Sequence, residues 1–147
     1  MPNYPQRKPL RLKDHDYSAD GYYFLTICTK EKRCILSSIT VGAQLDAVVK
    51  LSPYGMAAET YIKSIPGIDS YVIMPNHVHM IIHKANGKSI ASDVRSFKAL
   101  TTRKLGVSIW QDYYYDHIIR DEADYLTKRR YIEENPAKWS EDEYRVT

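Results

Sequence analysis

Apolar and polar positions along the chain alternate in short blocks, some with the two-residue period of strands and some with the 3.6-residue period of helices. "YYFLTICT" (22–29) is β-branched and aromatic and reads as a strand. Residues 33–51 hold a second strand region around "LDAVVKL". Ser52-Pro53 is a helix start, an N-cap followed by proline at the first helical position. That helix runs to about Ile65, where "IPG" stops it. Residues 70–83 read as one central strand. Ile90, Val94, Phe97 and Thr101 recur at helical spacing across 89–106, with Arg95, Lys98 and Thr102 on another face and Gly106 ending the helix. Residues 108–120 are aromatic and β-branched and read as a strand. Residues 121–136 form a last helix, opened by acids and closed at Asn135 by Pro136. The order β-β-α-β-α-β-α predicts an α+β domain spanning 1–147, preceded by a polar, extended stretch over 1–20. Helices cover one face of its antiparallel sheet and leave the other for a ligand.

Side chains alternate along a strand, and "YVIMPNHVHMIIH" (71–83) uses this. Val72, Met74, Val78, Met80 and Ile82 make a core side whose sole polar entry is Asn76. Tyr71, Ile73, Pro75, His77, His79, Ile81 and His83 fall on the other side. The Cα atoms of His77 and His79 are then roughly 6.5–7 Å apart, so two imidazoles can converge on one metal ion. A pair of histidines on a solvated sheet face gives the same pattern. His83 lies about 13 Å beyond His79 and drops out of such a site. No cysteine or further histidine is obviously placed as the third ligand a zinc site needs.

On the last helix Tyr125, Leu126 and Ile132 group on one side, and Tyr131 points about 150° away, near Thr127, Lys128 and Asn135. A phenol with a carboxamide one turn later suits a nucleophile beside a metal ligand. It equally suits a surface tyrosine and a helix-ending asparagine.

Composition narrows the class. The 147 residues, 44% hydrophobic, suffice for one core. No apolar run reaches the roughly 18 residues of a membrane helix, and "MPNYPQRKPL" carries no secretory h-region, so a cytoplasmic protein is expected. Cys28 and Cys34 read as thiols, not as a disulfide or zinc framework. The net charge is +3, but residues 84–104 hold six cations against Asp93 alone, while 131–147 are acidic. Such a basic patch suits a phosphate backbone, or a solvated helix face.

"YVIMPNHVHMII", followed by "SIWQDYYYDHIIRDEADYLTKRRYIEENPAKW", resembles the single-tyrosine HUH transposases of the IS200-like superfamily, above all the REP-associated tyrosine transposases. "RKPLRLKDHDYSADGYYFLTICTKEKR" is similar to that family's opening segment, so the likeness covers nearly the whole chain. It implies a ferredoxin-like or RRM-like domain, Mg²⁺ or Mn²⁺ held by His77 and His79, and Tyr131 as the nucleophile. Relatives often place a further ligand, commonly Gln, four residues after the tyrosine; here it is Asn135, one methylene shorter. Tyr113, Tyr114, Tyr115 and Tyr125 are rivals by residue type, but none matches the family position.

Attack by Tyr131 on DNA leaves a 5′-phosphotyrosine and a free 3′-hydroxyl. The implied partner is single-stranded DNA with a hairpin or palindromic repeats. Arg95, Lys98, Arg103, Lys104, Lys128 and Arg130 are candidates for backbone contacts. Tyr113 to Tyr115 either stack on unpaired bases or pack across strands. The family works both as a homodimer with shared sites and as a monomer. Two other readings stay open: a domesticated hairpin-binding protein that does not cut, and a metal-dependent phosphoesterase using water.

Overall fold

The computed structural model describes residues 21–44, 46–84, 89–142 and 144. The stretch 1–20 lies outside them. The strands are β1 (Gly21–Cys28), β2 (Ser37–Val41), β3 (Ala47–Leu51), β4 (Ile68–Ile73), β5 (His77–Lys84) and β6 (Tyr115–Ile119). The helices are α1 (Pro53–Lys63), α2 (Ile90–Leu105) and α3 (Glu122–Glu134), followed by a 3-10 turn over Pro136–Glu141. β4, β5, β1 and β6 form an antiparallel sheet in that order, and β2 and β3 pair as a separate ribbon.

The helix ends follow from local chemistry. Ser52 and Ser89 accept hydrogen bonds from the Gly55 and Ser92 amides at 3.1 and 3.3 Å. Gly106 closes α2 in the left-handed conformation, φ 76°, with its N–H donated to the Thr102 carbonyl. Asp121 caps α3 through the Asp124 amide at 2.8 Å.

The expected single strand over 70–83 is instead a hairpin. Met74 donates its amide to the His77 carbonyl at 2.8 Å, and Ile73 pairs with Val78 across the turn. Pro75 and Asn76 make the turn, a proline–asparagine signal hidden by the apolar residues on both sides. The reversal changes the faces: Tyr71 and Ile73 pack in the core cluster with Val78, Met80 and Ile82, and Val72 joins the opposite cluster. The expected strand over 108–120 shrinks to 115–119. Ahead of it, Trp110 makes one bridge to Thr29 and turns inward, its indole N–H donated to Thr101 on α2 at 2.7 Å.

The sheet is covered on both faces, which corrects the expectation of an open one. α1 and α2 pack over Leu25, Ile27, Val78, Met80 and Ile82. α3 crosses the other face, where Phe24, Cys28 and Ile81 meet Ile132 and Tyr144. Burial from both sides is why β1 and β5 read as nearly continuous apolar runs. Among the described residues, no helix is long and apolar enough to cross a membrane.

Candidate active site

Strand register builds the site. On the α3 side of the sheet, His77 stands opposite Cys28, and His79 opposite Thr26. The two imidazoles pack edge to face with ring centroids 4.6 Å apart. Both are fully buried, 0% exposed. Each has one nitrogen engaged: His77 Nδ1 with Asn76 Oδ1 at 2.8 Å, and His79 Nδ1 with Thr26 Oγ1 at 2.9 Å. Each Nε2 is buried and makes no hydrogen bond among the described residues. Burial drives both imidazoles towards neutrality: His79 falls to about 3, and His77, additionally facing His79, well below the usual range.

α3 brings the third group. Tyr131 lies with its ring centroid 5.1 Å from that of His79 and 6.0 Å from that of Phe24. The inward stripe of α3 runs through Asp124, Tyr125, Lys128, Tyr131, Ile132 and Asn135, while Leu126 is exposed. Tyr131 and Ile132 therefore share the sheet-facing side that sequence periodicity had assigned to Tyr125, Leu126 and Ile132. The polar residues of α3 meet a polar patch of sheet, which a search for apolar periodicity cannot register. Burial raises the Tyr131 phenol above its usual pKa; the Asp142 charge adds to this, and the Asn135 amide opposes it.

Asn135 is buried and faces both His77 and Tyr131, yet its Oδ1 makes no hydrogen bond of normal geometry among the described residues. Asp142 was not singled out by sequence. Its carboxylate, 2% exposed, stands 3.8 Å from His77 Nε2, and Tyr144 lays its ring 4.4 Å from that of His77. Nothing in the local sequence announces Asp142, because the chain returning after α3 carries it there. Thr26 had a signal, a threonine set between Leu25 and Ile27 inside "YYFLTICT".

The donor set suits a divalent cation. Three buried acceptor atoms, His77 Nε2, His79 Nε2 and Asn135 Oδ1, lie in this region without hydrogen-bond partners among the described residues, and Asp142 Oδ2 stands 3.8 Å from His77 Nε2. Among the described residues, however, no three His, Cys, Asp or Glu side chains are grouped to hold a metal. Two imidazoles and a carboxamide would thus hold such an ion, with further positions left to substrate oxygens or water.

The other sequence candidates lie apart. Arg95, Arg103 and Lys104 are exposed on α2, beyond the sheet from Tyr131. Lys98 is half-buried and donates to the Gln111 carbonyl at 2.6 Å. Lys128 pairs with Asp124 at 3.2 Å, which also accepts from His117 at 2.8 Å; Arg130 is exposed. Tyr113 is 52% exposed, whereas Tyr114 packs against the α1–α2 core and Tyr115 against the site cluster. Tyr125 donates to Asp69 on β4 at 2.7 Å, tying α3 to the sheet. His83 is exposed and stacks on Tyr22.

No family model matches the chain. A Haemophilus influenzae protein of uncharacterised function is 35% identical, the match covering 95% of this chain and 93% of that one. A REP-associated tyrosine transposase of Escherichia coli (strain K12) is 27% identical over 83% of this chain and 70% of its own. Among solved structures, that of a REP-associated tyrosine transposase bound to a REP hairpin matches with a TM-score of 0.63 and 25% identity, over 88% of this chain and 74% of that one. A Deinococcus radiodurans R1 protein assigned as a transposase shares the fold alone, with a TM-score of 0.52 and 17% identity over 84% of this chain and 96% of its own. The chain is a relative of the REP-associated tyrosine transposases.

Proposed function

We propose that the protein nicks and rejoins single-stranded DNA at or near hairpins, with Tyr131 as nucleophile and His77, His79 and Asn135 as metal ligands. The observation that carries this reading is the approach of Tyr131 to His79, 5.1 Å between ring centroids, beside two imidazole nitrogens without partners among the described residues. The β1–α1–β4–β5–α2–β6 order supports a ferredoxin-like domain under it. The hairpin in the related transposase structure supports the choice of substrate.

In the step itself, Tyr131 Oη attacks the scissile phosphorus and the phenol gives up its proton. The P–O3′ bond breaks, and the departing 3′-oxygen takes up a proton. The product is a 5′-phosphotyrosine that conserves the phosphodiester linkage, so a 3′-hydroxyl can reverse the reaction. A divalent cation, Mg²⁺ or Mn²⁺, supplies Lewis-acid neutralisation of the phosphate charge when bound. Phe24 packs edge-on against the Tyr131 ring, and the Asn135 amide favours its phenolate. Lys128, Arg130 and the α2 cations contribute backbone contacts.

The test is incubation with Mn²⁺ and labelled hairpin single-stranded DNA. Wild type forms a covalent protein–DNA adduct, and Tyr131→Phe forms none. An adduct that survives in Tyr131→Phe refutes the assignment. One observation favours a second reading, a hairpin-binding protein that does not cut: both histidines are fully buried beneath α3 and the 136–144 segment. Tight hairpin binding without any metal-dependent adduct would select it.

A further inference from the structure

Asn76 takes no part in the step above, yet it is a buried polar residue in the turn that delivers His77, 0% exposed. Its side chain touches three segments. Nδ2 lies 3.2 Å from the Lys32 carbonyl oxygen and 2.6 Å from that of Tyr144. Oδ1 lies 2.8 Å from His77 Nδ1. A carbonyl oxygen only accepts, so two carbonyls on one side fix which end of the amide is NH₂. The amide oxygen is thereby turned towards His77. Being only an acceptor, it requires a hydrogen on Nδ1, whatever the charge of the ring. In the neutral ring the lone pair is then on Nε2, the buried nitrogen 3.8 Å from Asp142 Oδ2.

We infer that Asn76 is a positioning residue that locks His77 in its Nδ1–H tautomer and so makes Nε2 the metal-binding atom. The inference rests on the metal-site reading above. It separates the two histidines. Thr26 Oγ1, beside His79 Nδ1 at 2.9 Å, both donates and accepts, so it leaves the tautomer of His79 open. An unconstrained histidine side chain favours hydrogen on Nε2, which blocks the atom the metal needs. Aspartate at position 76 would keep an acceptor for Nδ1 but would turn a second acceptor on the Lys32 and Tyr144 carbonyls. No hydroxyl residue reaches all three partners. Asn76 further joins the orientation of the imidazole to the return of the chain at Tyr144, the segment that covers it.

The experiment uses full-length, metal-free protein labelled with ¹⁵N-histidine. A two-bond ¹H–¹⁵N correlation spectrum at neutral pH reads the tautomer of each ring, and His77→Gln assigns one signal among the five histidines. Wild-type His77 shows a protonated, pyrrole-type Nδ1 and a pyridine-type Nε2. In Asn76→Ala the signature reverses, and Co²⁺ affinity, read from the visible absorption of the bound ion, falls about 10–100-fold. Asn76→Asp retains the Nδ1–H signature. The inference is overturned by a pyridine-type Nδ1 in wild-type His77, a measurement that does not depend on an Asn76 variant folding. It is equally overturned by an Asn76→Ala protein with unchanged tautomer and Co²⁺ affinity. A wild type with the Nδ1–H signature that forms no DNA adduct refutes the nicking reading while leaving the tautomer assignment standing.

Discussion

Burying two imidazoles in one site gives the protein an acid-sensitive core. In the folded chain His79 titrates near 3, against 6.5 for an exposed imidazole, because burial penalises its charged form. The unfolded chain therefore binds more protons than the folded chain between these values. Stability from this residue is complete above about pH 6.5 and is lost as pH falls towards 3. Asp142 works in the opposite sense, since burial raises its carboxyl. Urea unfolding between pH 7 and 4 should show stability falling with acidity, by up to about 1.4 kcal/mol per pH unit for each buried histidine. His79→Phe should flatten that slope. Unchanged pH dependence in His79→Phe would contradict the burial of the ring. At this scale the sequence was half legible. His77 and His79 showed themselves by alternation along a strand, and Tyr131 by its family setting. Asn76 showed only as a blemish on an apolar face. Asp142 gave no sign, because its place depends on a chain reversal after α3.

Elements with terminal punctuation were readable, and elements defined by tertiary pairing were not. Ser52-Pro53, Ser89, Gly106 and Pro136 mark helix ends, and the helices start and stop close to them. The β4–β5 turn lacks a glycine, so its apolar flanks merged into one apparent strand. β6 begins only where Tyr115 pairs with Thr26, a limit set by β1 and not by its own composition. The entry to β4 is more demanding. Gly67 has φ +85°, and a Cβ there would lie 2.0 Å from the His83 carbonyl oxygen, so neither backbone nor space accepts a side chain. Gly67→Ala should destabilise the fold by more than about 2 kcal/mol in chemical denaturation. At the far end of the site, Asp121→Ala removes the α3 cap and should cost about 1 kcal/mol, visible as faster amide exchange in the first turn of that helix.

At the scale of the whole molecule, one chain assembles both halves of the candidate site. His77 and His79 come from β5 and Tyr131 from α3 of the same chain, and α3 is tied down by Tyr125 to Asp69 and by Asp124 to His117. The expected outcome of mixing His79→Ala protein with Tyr131→Phe protein is therefore no adduct, since neither chain carries a complete site. Appearance of adduct in the mixture, measured on the labelled hairpin substrate, would establish a shared site between two copies. The exposed cations divide between α2 on one side of the sheet and α3 on the other. That division was invisible in the charge profile, which gives position along the chain but not the side of a sheet.

The two tryptophans are also divided by the sheet. Trp110 is 2% exposed in the α1–α2 core, and Trp139 stands with its ring centroid 6.2 Å from that of His77. Trp110→Phe would leave one indole, and its emission would come from the site alone. Titrating this variant with Co²⁺, whose d-electrons quench a neighbouring indole, should dim the fluorescence in proportion to occupancy, and adding His77→Gln should abolish the response. Trp139 would therefore serve as an optical gauge of metal occupancy at the candidate site, readable without DNA and without turnover.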